Sequence, residues 1–138
     1  MAEDDEAGLT VAQMSAATGV TAYTLRYYER AELIHPVARN AGNQRRYSAA
    51  DVEWVRFLLR LRETGMSIAQ MREYAVLRAQ GRVTTEPRLR LLEAHRATLR
   101  EQIARLRTHE KALAAKIASY RNDLAALEAN HEKEGTGR

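Results

Sequence analysis

The sequence of 138 residues contains no cysteine and has only 2 proline and 7 glycine residues. Without cysteine, the chain can form neither disulfides nor thiolate metal sites. Few prolines and glycines, with abundant Ala, Leu, Arg and Glu, favour helix and leave little room for a large sheet. No apolar run approaches the ~18 residues that span a membrane, and the acidic N-terminus is unlike a signal peptide. We therefore expect a mainly α, cytoplasmic protein.

Charge is distributed unevenly along the chain. The formal net charge is +4, but residues 1–8 carry four acidic residues and no basic one, which predicts a disordered acidic leader. Residues 9–80 carry ten arginines against six acidic residues. A basic excess of this size permits nucleic-acid binding without requiring it, because a solvated Arg-rich surface has the same composition.

Two short helical segments separated by a glycine follow the leader. Thr10 is positioned to cap the first helix, and Thr21 is positioned to cap the second. Gly19, which lies between them, is the kind of residue that ends a helix. Two short helices divided in this way are typical of a helix-turn-helix motif.

The next segment has the composition of a small hairpin. Extended and then turn-forming residues at 33–44 lead into Arg45-Arg46-Tyr47, and this pattern predicts a β-hairpin, or wing. Ser48 and Ser67 then begin two further helices with apolar periodicity. We predict that residues 9–80 form a winged helix-turn-helix head.

A long helix is predicted after the head. Residues 81–85 are predicted to be a linker, residues 86–130 one helix and residues 131–138 a flexible tail. Apolar residues of the helix recur at alternating steps of three and four, which is typical of a coiled-coil seam. The predicted dimerisation residues are Leu92, Arg96, Leu99, Ile103, Leu106, Glu110, Leu113, Ile117 and Tyr120.

Two charged residues interrupt this seam. Arg96 and Glu110 lie 14 residues apart, at equal distances from Ile103. In an antiparallel dimer centred near Ile103, Arg96 of one chain could approach Glu110 of the other, since an isolated charge in a seam is costly. The alternative is that both side chains extend out of the seam to water.

The second helix of the predicted head carries side chains suited to DNA. Arg reaches phosphate or guanine, and Tyr hydroxyls donate to phosphate, whereas Leu25 and Tyr28 are expected to face the core. For Arg26 alone, a surface ion pair with Glu29 is an alternative. Basic residues on a wing can grip the DNA backbone or the minor groove. The predicted DNA-binding residues are Thr21, Tyr23, Arg26 and Tyr27 of the helix and Arg39, Arg45 and Tyr47 of the wing.

Five short motifs, in this order and spacing, resemble the MerR family of bacterial regulators over roughly residues 9–127. The resemblance implies a winged helix-turn-helix head, an antiparallel coiled-coil homodimer and a palindromic operator within a long promoter spacer. It also implies activation by bending and untwisting DNA for RNA polymerase, with Arg26, Tyr27, Arg45 and Tyr47 as DNA contacts and Tyr23 and Arg39 as weaker candidates. The motifs are Thr24-Leu25-Arg26-Tyr27-Tyr28-Glu29, Leu33-Ile34, Arg45-Arg46-Tyr47-Ser48, Asp51-Val52 and Gly65-Met66-Ser67-Ile68.

The sequence departs from the family pattern in two respects. Asn43-Gln44 stand where the wing turn usually has glycine, and the cysteines used by sensing members are absent. No catalytic grouping, phosphate loop or metal-ligand spacing is present, so we predict no enzyme activity, no cofactor and no metal. The sequence identifies no inducing signal. A small effector, if there is one, is expected near Tyr74, Leu77 and the linker.

Two other functions fit parts of the pattern. An architectural or excision-type DNA-bending protein would share the head but would not need such a long dimerising helix. A coiled-coil adaptor would use the long helix to bind proteins and would not need a basic wing. The arginines and tyrosines of the head favour the transcription regulator over both.

Overall fold

The computed structural model describes residues 8–35, 39, 41–42 and 46–136. These residues contain five α-helices and no β-strand, which confirms the mainly α fold class. No helix in this part of the chain combines the length and apolar character needed to cross a membrane. The helices are α1 (Val11–Thr18), α2 (Ala22–Arg30), α3 (Ala49–Glu63), α4 (Ile68–Ala79) and α5 (Thr85–Thr136), with a 3₁₀ helix at Gly81–Thr84.

Local side-chain caps determine where the helices of the head begin. The hydroxyls of Thr10, Ser48 and Ser67 each accept a hydrogen bond from the backbone N–H three residues on. In all three cases the side chain at that third position accepts a hydrogen bond from the capping residue's own N–H, which completes a capping box. The hydroxyl of Thr21 accepts from the N–H of Thr24 at 3.1 Å. All four caps predicted from the sequence are confirmed.

The segment predicted to lead out of the wing pairs with the beginning of the head. Tyr47 and Leu9 form an antiparallel bridge, with N–H to O distances of 2.7 and 2.8 Å. Gly8 precedes this bridge with a φ of +85°, and a Cβ there would lie 2.8 Å from the carbonyl oxygen of Tyr47. Among the described residues of the predicted wing, Tyr47 thus bridges to Leu9, and Arg39 also takes part in a β-bridge.

The core of the head joins all four of its helices. Trp54 of α3 stacks on Tyr74 of α4, and the guanidinium of Arg78 lies 4.1 Å from the centre of a Trp54 ring. The Trp54 indole N–H donates a 2.9 Å hydrogen bond to the carbonyl oxygen of Leu33, just after α2. The largest fully buried side chains are Tyr47, Met14, Leu25, Leu33, Leu58, Met71 and Val55.

The boundary between the two compact units lies further along the chain than predicted. The first unit extends to His95 because Leu91 and Leu92 of α5 pack against the head core. In addition, His95 Nε2 lies 2.7 Å from the Thr64 hydroxyl. A heptad pattern alone does not reveal that its first residues pack against their own head.

The limits of the long helix also differ from the prediction. Four of the five residues predicted to be a linker form the 3₁₀ helix, and α5 begins at Thr85. The helix continues through residues 131–136, which were predicted to be flexible. Those residues include Glu132, Lys133 and Glu134, which are good helix formers, and no proline interrupts them.

The second unit consists of the remainder of α5. Its apolar residues occur at the predicted seam positions, and most of them are exposed in the single chain. Single apolar residues on a surface are ordinary, but a continuous stripe of them marks an interaction site. The exposed fractions are 38% for Ile103, 67% for Leu106, 64% for Leu113, 50% for Ile117, 57% for Tyr120, 59% for Leu124 and 64% for Leu127.

Candidate nucleic-acid interface

Helix α2 presents two chemically distinct faces. Leu25 and Tyr28 are buried in the core, as predicted. The opposite face carries Tyr23, which is 68% exposed, Tyr27, which is 38% exposed, and the exposed side chain of Arg26. These residues and the exposed Arg30 recur at steps of three, one and three, so they form one stripe along the helix. The stripe combines positive charge with phenol hydroxyls.

The N-terminal end of α2 is narrow and polar. Thr21 is exposed, and its hydroxyl donates to the Thr24 hydroxyl at 3.0 Å. Ala22 is the first residue of the helix. Small side chains at this end allow close approach to another surface, and the free N–H groups of a helix N-terminus attract phosphate oxygens. The N-terminal end of α2 is therefore compact.

The C-terminal end of α2 closes in a Schellman motif. The Leu33 N–H donates to the Tyr28 carbonyl at 2.9 Å, and the Glu32 N–H donates to the Glu29 carbonyl at 3.1 Å. Glu32 has a φ of +62°, a left-handed conformation that L residues other than Asn and Asp seldom adopt. The Schellman motif thus ends α2 directly after Arg30, the last residue of the exposed stripe.

Three side chains from α3 and α4 hold the backbone of the helix-turn-helix. Arg56 Nη2 donates to the Ala17 carbonyl at 2.8 Å, at the end of α1. Arg72 Nε donates to the Ala31 carbonyl at 2.9 Å, at the end of α2. The indole N–H of Trp54 donates to the carbonyl oxygen of Leu33, in the turn that follows. Sequence reasoning missed all three residues, because their partners lie 21 to 41 positions away and no local pattern signals such pairs.

The phenol of Tyr28 anchors the buried face of α2. Burial raises the pKa of Tyr28 above its ordinary value of 10.0, and the nearby Arg62 guanidinium partly opposes this effect. Tyr27 and Glu63 raise the pKa further. Tyr28 is therefore neutral at physiological pH and acts as an apolar residue of the core.

The three wing residues predicted to bind DNA have different positions. Arg39 is exposed, and Arg45 lies outside the described residues. Tyr47 is only 1% exposed, and its hydroxyl donates to Glu29 Oε1 at 3.4 Å. The prediction that Tyr47 contacts DNA needs correction, because a ring buried in the core does not present its hydroxyl to a phosphate. The bridge to Leu9 turns this side chain inward.

The expectation that a small effector binds near Tyr74, Leu77 and the linker stays a prediction. Tyr74 is buried and stacked on Trp54, so it is a core residue. A cavity of about 700 Å³ opens instead beside the end of α2, lined by Ile34, Trp54, Val76 and Arg78 among others. Neither Tyr74 nor Leu77 lines this cavity.

A helix-turn-helix with a basic, tyrosine-bearing recognition face defines a DNA-binding protein. The family model for MerR HTH family regulatory proteins matches residues 9–76, and the model for MerR DNA binding matches residues 52–116. The chain belongs to the MerR family of transcription regulators, which are not enzymes. This confirms the resemblance seen in the sequence.

Individual relatives agree with this assignment. The HTH-type transcriptional regulator AdhR of Bacillus subtilis is 40% identical over 93 residues, which cover 67% of this chain and 66% of AdhR. The crystal structure of a MerR family protein of Listeria monocytogenes is 32% identical, with a TM-score of 0.86 over 95% of this chain and 99% of that one. HiNmlR, a MerR family regulator lacking the sensor domain and bound to promoter DNA, is 30% identical, with a TM-score of 0.74 over 93% and 94%.

Proposed function

We propose that the chain regulates transcription as a homodimer that binds a palindromic operator in a promoter. The observation that carries this proposal is the exposed stripe of Tyr23, Arg26 and Tyr27 on α2, opposite the buried Leu25 and Tyr28. A recognition helix needs polar groups of these types on one face to enter a major groove. Two copies related by a twofold axis would place two such helices on two half-sites.

The contacts divide into base readout and backbone positioning. We propose that Arg26 binds a guanine edge or a phosphate and that the hydroxyls of Tyr23 and Tyr27 donate to phosphates. Thr21, whose hydroxyl donates to that of Thr24, would contribute a small side chain that allows close approach. Arg39 and Arg45 of the wing would bind the flanking backbone. These basic contacts make the affinity depend on salt concentration.

The dimer would form through an antiparallel coiled coil. The apolar stripe on α5 is exposed in the single chain, and a second copy of the same stripe would cover it. With two heads held apart in this way, we propose that the protein bends and untwists the operator, as the family resemblance implies, so that RNA polymerase can use the promoter. The cost of deforming the DNA would contribute to specificity.

Footprinting of the purified protein on the DNA upstream of its own gene tests the proposal. We expect two protected half-sites, and we expect Arg26→Ala to weaken binding by about 1–3 kcal/mol, or roughly five- to 140-fold. Tyr27→Phe should weaken binding by removing a phosphate donor. Tyr47→Phe is the matched control, because that phenol is buried, and it should leave the footprint unchanged.

Other outcomes would contradict the proposal. Binding without sequence preference, with a steep salt dependence, would indicate an architectural DNA-bending protein. No DNA binding by a well-folded dimer would indicate a coiled-coil adaptor. A footprint that Arg26→Ala leaves intact would overturn the assignment of the recognition face. A circular-permutation mobility assay would test bending, since unbent operator gives the same mobility at every position of the site.

A further inference from the structure

The cavity beside the end of α2 has the size and the lining of a small-molecule site. Its volume of about 700 Å³ lies in the range of about 300–1,000 Å³ that is usual for ligand pockets. Leu33, Ile34 and Val76 give it an apolar wall, and its other lining residues come from α2, α3 and α4 and the segment after α4. A ligand in this cavity could therefore contact three of the four helices of the head.

Arg78 is the charged side chain of the cavity whose position is best determined. Its guanidinium lies 4.1 Å from the centre of a Trp54 ring, and Trp54 is itself held by its stacking on Tyr74 and its hydrogen bond to the Leu33 carbonyl. A guanidinium stacked on an aromatic face keeps the N–H groups at its edge available for hydrogen bonds in its own plane. Within the described part of the chain, the side chains of Arg78 and Arg30 form no hydrogen bond or ion pair. The cavity thus contains positively charged donors that a ligand can use.

The carboxylates of the cavity are engaged to a greater extent. Glu29 accepts a hydrogen bond from the buried Tyr47 hydroxyl at 3.4 Å, and Asp51 accepts one from the Ser48 N–H at 2.8 Å as part of the α3 capping box. The third carboxylate, that of Glu32, is exposed to water. An anion would supply the acceptor that the two guanidiniums lack among the described residues, whereas a cation would be repelled by them.

We propose that the cavity binds a small organic anion that carries a carboxylate on an apolar body. The fork of the Arg78 guanidinium matches a carboxylate through two parallel N–H···O hydrogen bonds, which are stronger than those between neutral groups. The apolar body would lie against Ile34 and Val76, and its removal from water adds to the affinity. Inorganic phosphate would satisfy the guanidinium but would leave this wall unused, so the lining favours an organic carboxylate.

The cavity adjoins the proposed DNA-recognition face. Arg30 lines the cavity and is also the last residue of α2 and of its exposed stripe. A bound carboxylate would attract the Arg30 guanidinium, and its own charge would oppose the phosphates of DNA. We therefore expect the ligand to weaken operator binding. This consequence rests on the proposed function, whereas the binding site itself does not.

Three probes of one shape test the chemistry of the site. Benzoate, benzamide and benzamidine share a phenyl ring and a planar end group, and their end groups are negative, neutral and positive. Isothermal titration calorimetry of the full chain without DNA should show that benzoate binds about tenfold more tightly than the other two, because it alone forms a charge-assisted pair with Arg78. The proposal is overturned if benzamidine binds as tightly as benzoate. It is also overturned if the Kd of benzoate exceeds about 10 mM, the weak limit for a ligand of this size.

Three variants locate the bound probe. Arg78→Met removes the guanidinium but keeps a flexible apolar side chain beside Trp54, and it should weaken benzoate binding at least about tenfold. Arg82→Met is the matched control, because Arg82 is an exposed arginine outside the cavity lining, and it should leave the affinity unchanged. Val76 is half-exposed, so Val76→Phe should be tolerated. It narrows the cavity with both guanidiniums in place and should also weaken benzoate binding.

The results separate the site from the proposed function. If Arg78→Met and Arg82→Met weaken benzoate binding equally, benzoate is attracted by the basic surface in general, and the proposal is wrong. Saturating benzoate, compared with chloride at equal ionic strength, should raise the operator Kd about fivefold, the effect of losing one basic contact, and Arg78→Met should abolish this rise. An operator Kd that benzoate leaves unchanged would contradict the link between the cavity and α2. A protein that binds benzoate in the cavity but binds no operator would count against the proposed function alone.

Discussion

Arg72 Nε donates a 2.9 Å hydrogen bond to the carbonyl oxygen of Ala31, although 41 positions separate the two residues. Ala31 caps the C-terminus of α2, where carbonyl groups have no partner within the helix. Arg56 does the same for α1 by donating to the Ala17 carbonyl at 2.8 Å. Each helix of the helix-turn-helix thus has its C-terminal end held by one arginine from the second helical pair.

Replacing Arg72 should loosen the end of the recognition helix. Arg72→Met keeps the apolar stem and removes the donor, which should cost about 1 kcal/mol of unfolding free energy. Amide hydrogen exchange should accelerate at Glu32 and Leu33. Arg56→Met is the matched control and should accelerate exchange at Gly19 instead, at the end of α1. If both variants accelerate exchange at the same amides, the hydrogen bonds of Arg72 and Arg56 do not act locally on the ends of α2 and α1.

Gly8 should tolerate no side chain. A Cβ at this position would lie 2.8 Å from the Tyr47 carbonyl oxygen, and the φ of +85° is unfavourable for alanine. We expect Gly8→Ala to lower the unfolding free energy by about 1–3 kcal/mol. Gly81→Ala has a similar φ of +82° but open space around the new methyl, so it should cost about 1 kcal/mol. If urea unfolding shows that Gly8→Ala and Gly81→Ala lower the unfolding free energy equally, the close approach of position 8 to the Tyr47 carbonyl oxygen adds no steric strain.

Glu32 should be replaceable by glycine with a gain in stability. Its φ of +62° is the conformation in which glycine is preferred at the end of a helix, and relieving it should add about 1 kcal/mol. Glu32→Ala is the control, since it removes the carboxylate but keeps the strained Cβ, and it should not stabilise the protein. Thermal unfolding of both variants distinguishes backbone strain from any effect of the charge.

Tyr28 should make the head less stable at alkaline pH. Because burial raises its pKa in the folded protein, the unfolded chain loses the phenol proton first, near pH 10.0. The folded state then binds more protons than the unfolded state, so stability falls as pH rises from that value through the folded pKa. In Tyr28→Phe this part of the decline should disappear. Parallel urea-unfolding profiles between pH 9 and 11 for the two proteins would contradict the assignment.

The features of the fold that sequence reasoning predicted are local ones. The caps at Thr10, Ser48 and Ser67 each depend on a residue three positions away. The buried and exposed faces of α2 follow from helical spacing alone. Such features depend on short-range geometry and therefore leave a pattern in consecutive residues.

The features that sequence reasoning missed depend on distant partners. Tyr47 lies in a basic stretch that suggests DNA contact, yet its bridge to Leu9 buries it. Leu92 has the spacing of a seam residue, but it packs against the head of its own chain. In both cases the residue type fits two environments equally well, and only the tertiary arrangement decides between them.

The hydrogen bond between Trp54 and the Leu33 carbonyl also has a practical consequence. Trp54 is the chain's one tryptophan, so all of its indole fluorescence arises at the exit of the recognition helix. Its emission wavelength depends on the polarity around the indole and on the N–H donor being engaged. The protein therefore carries an intrinsic optical reporter beside the helix that we propose reads DNA, and a titration with operator DNA can be followed without any added label.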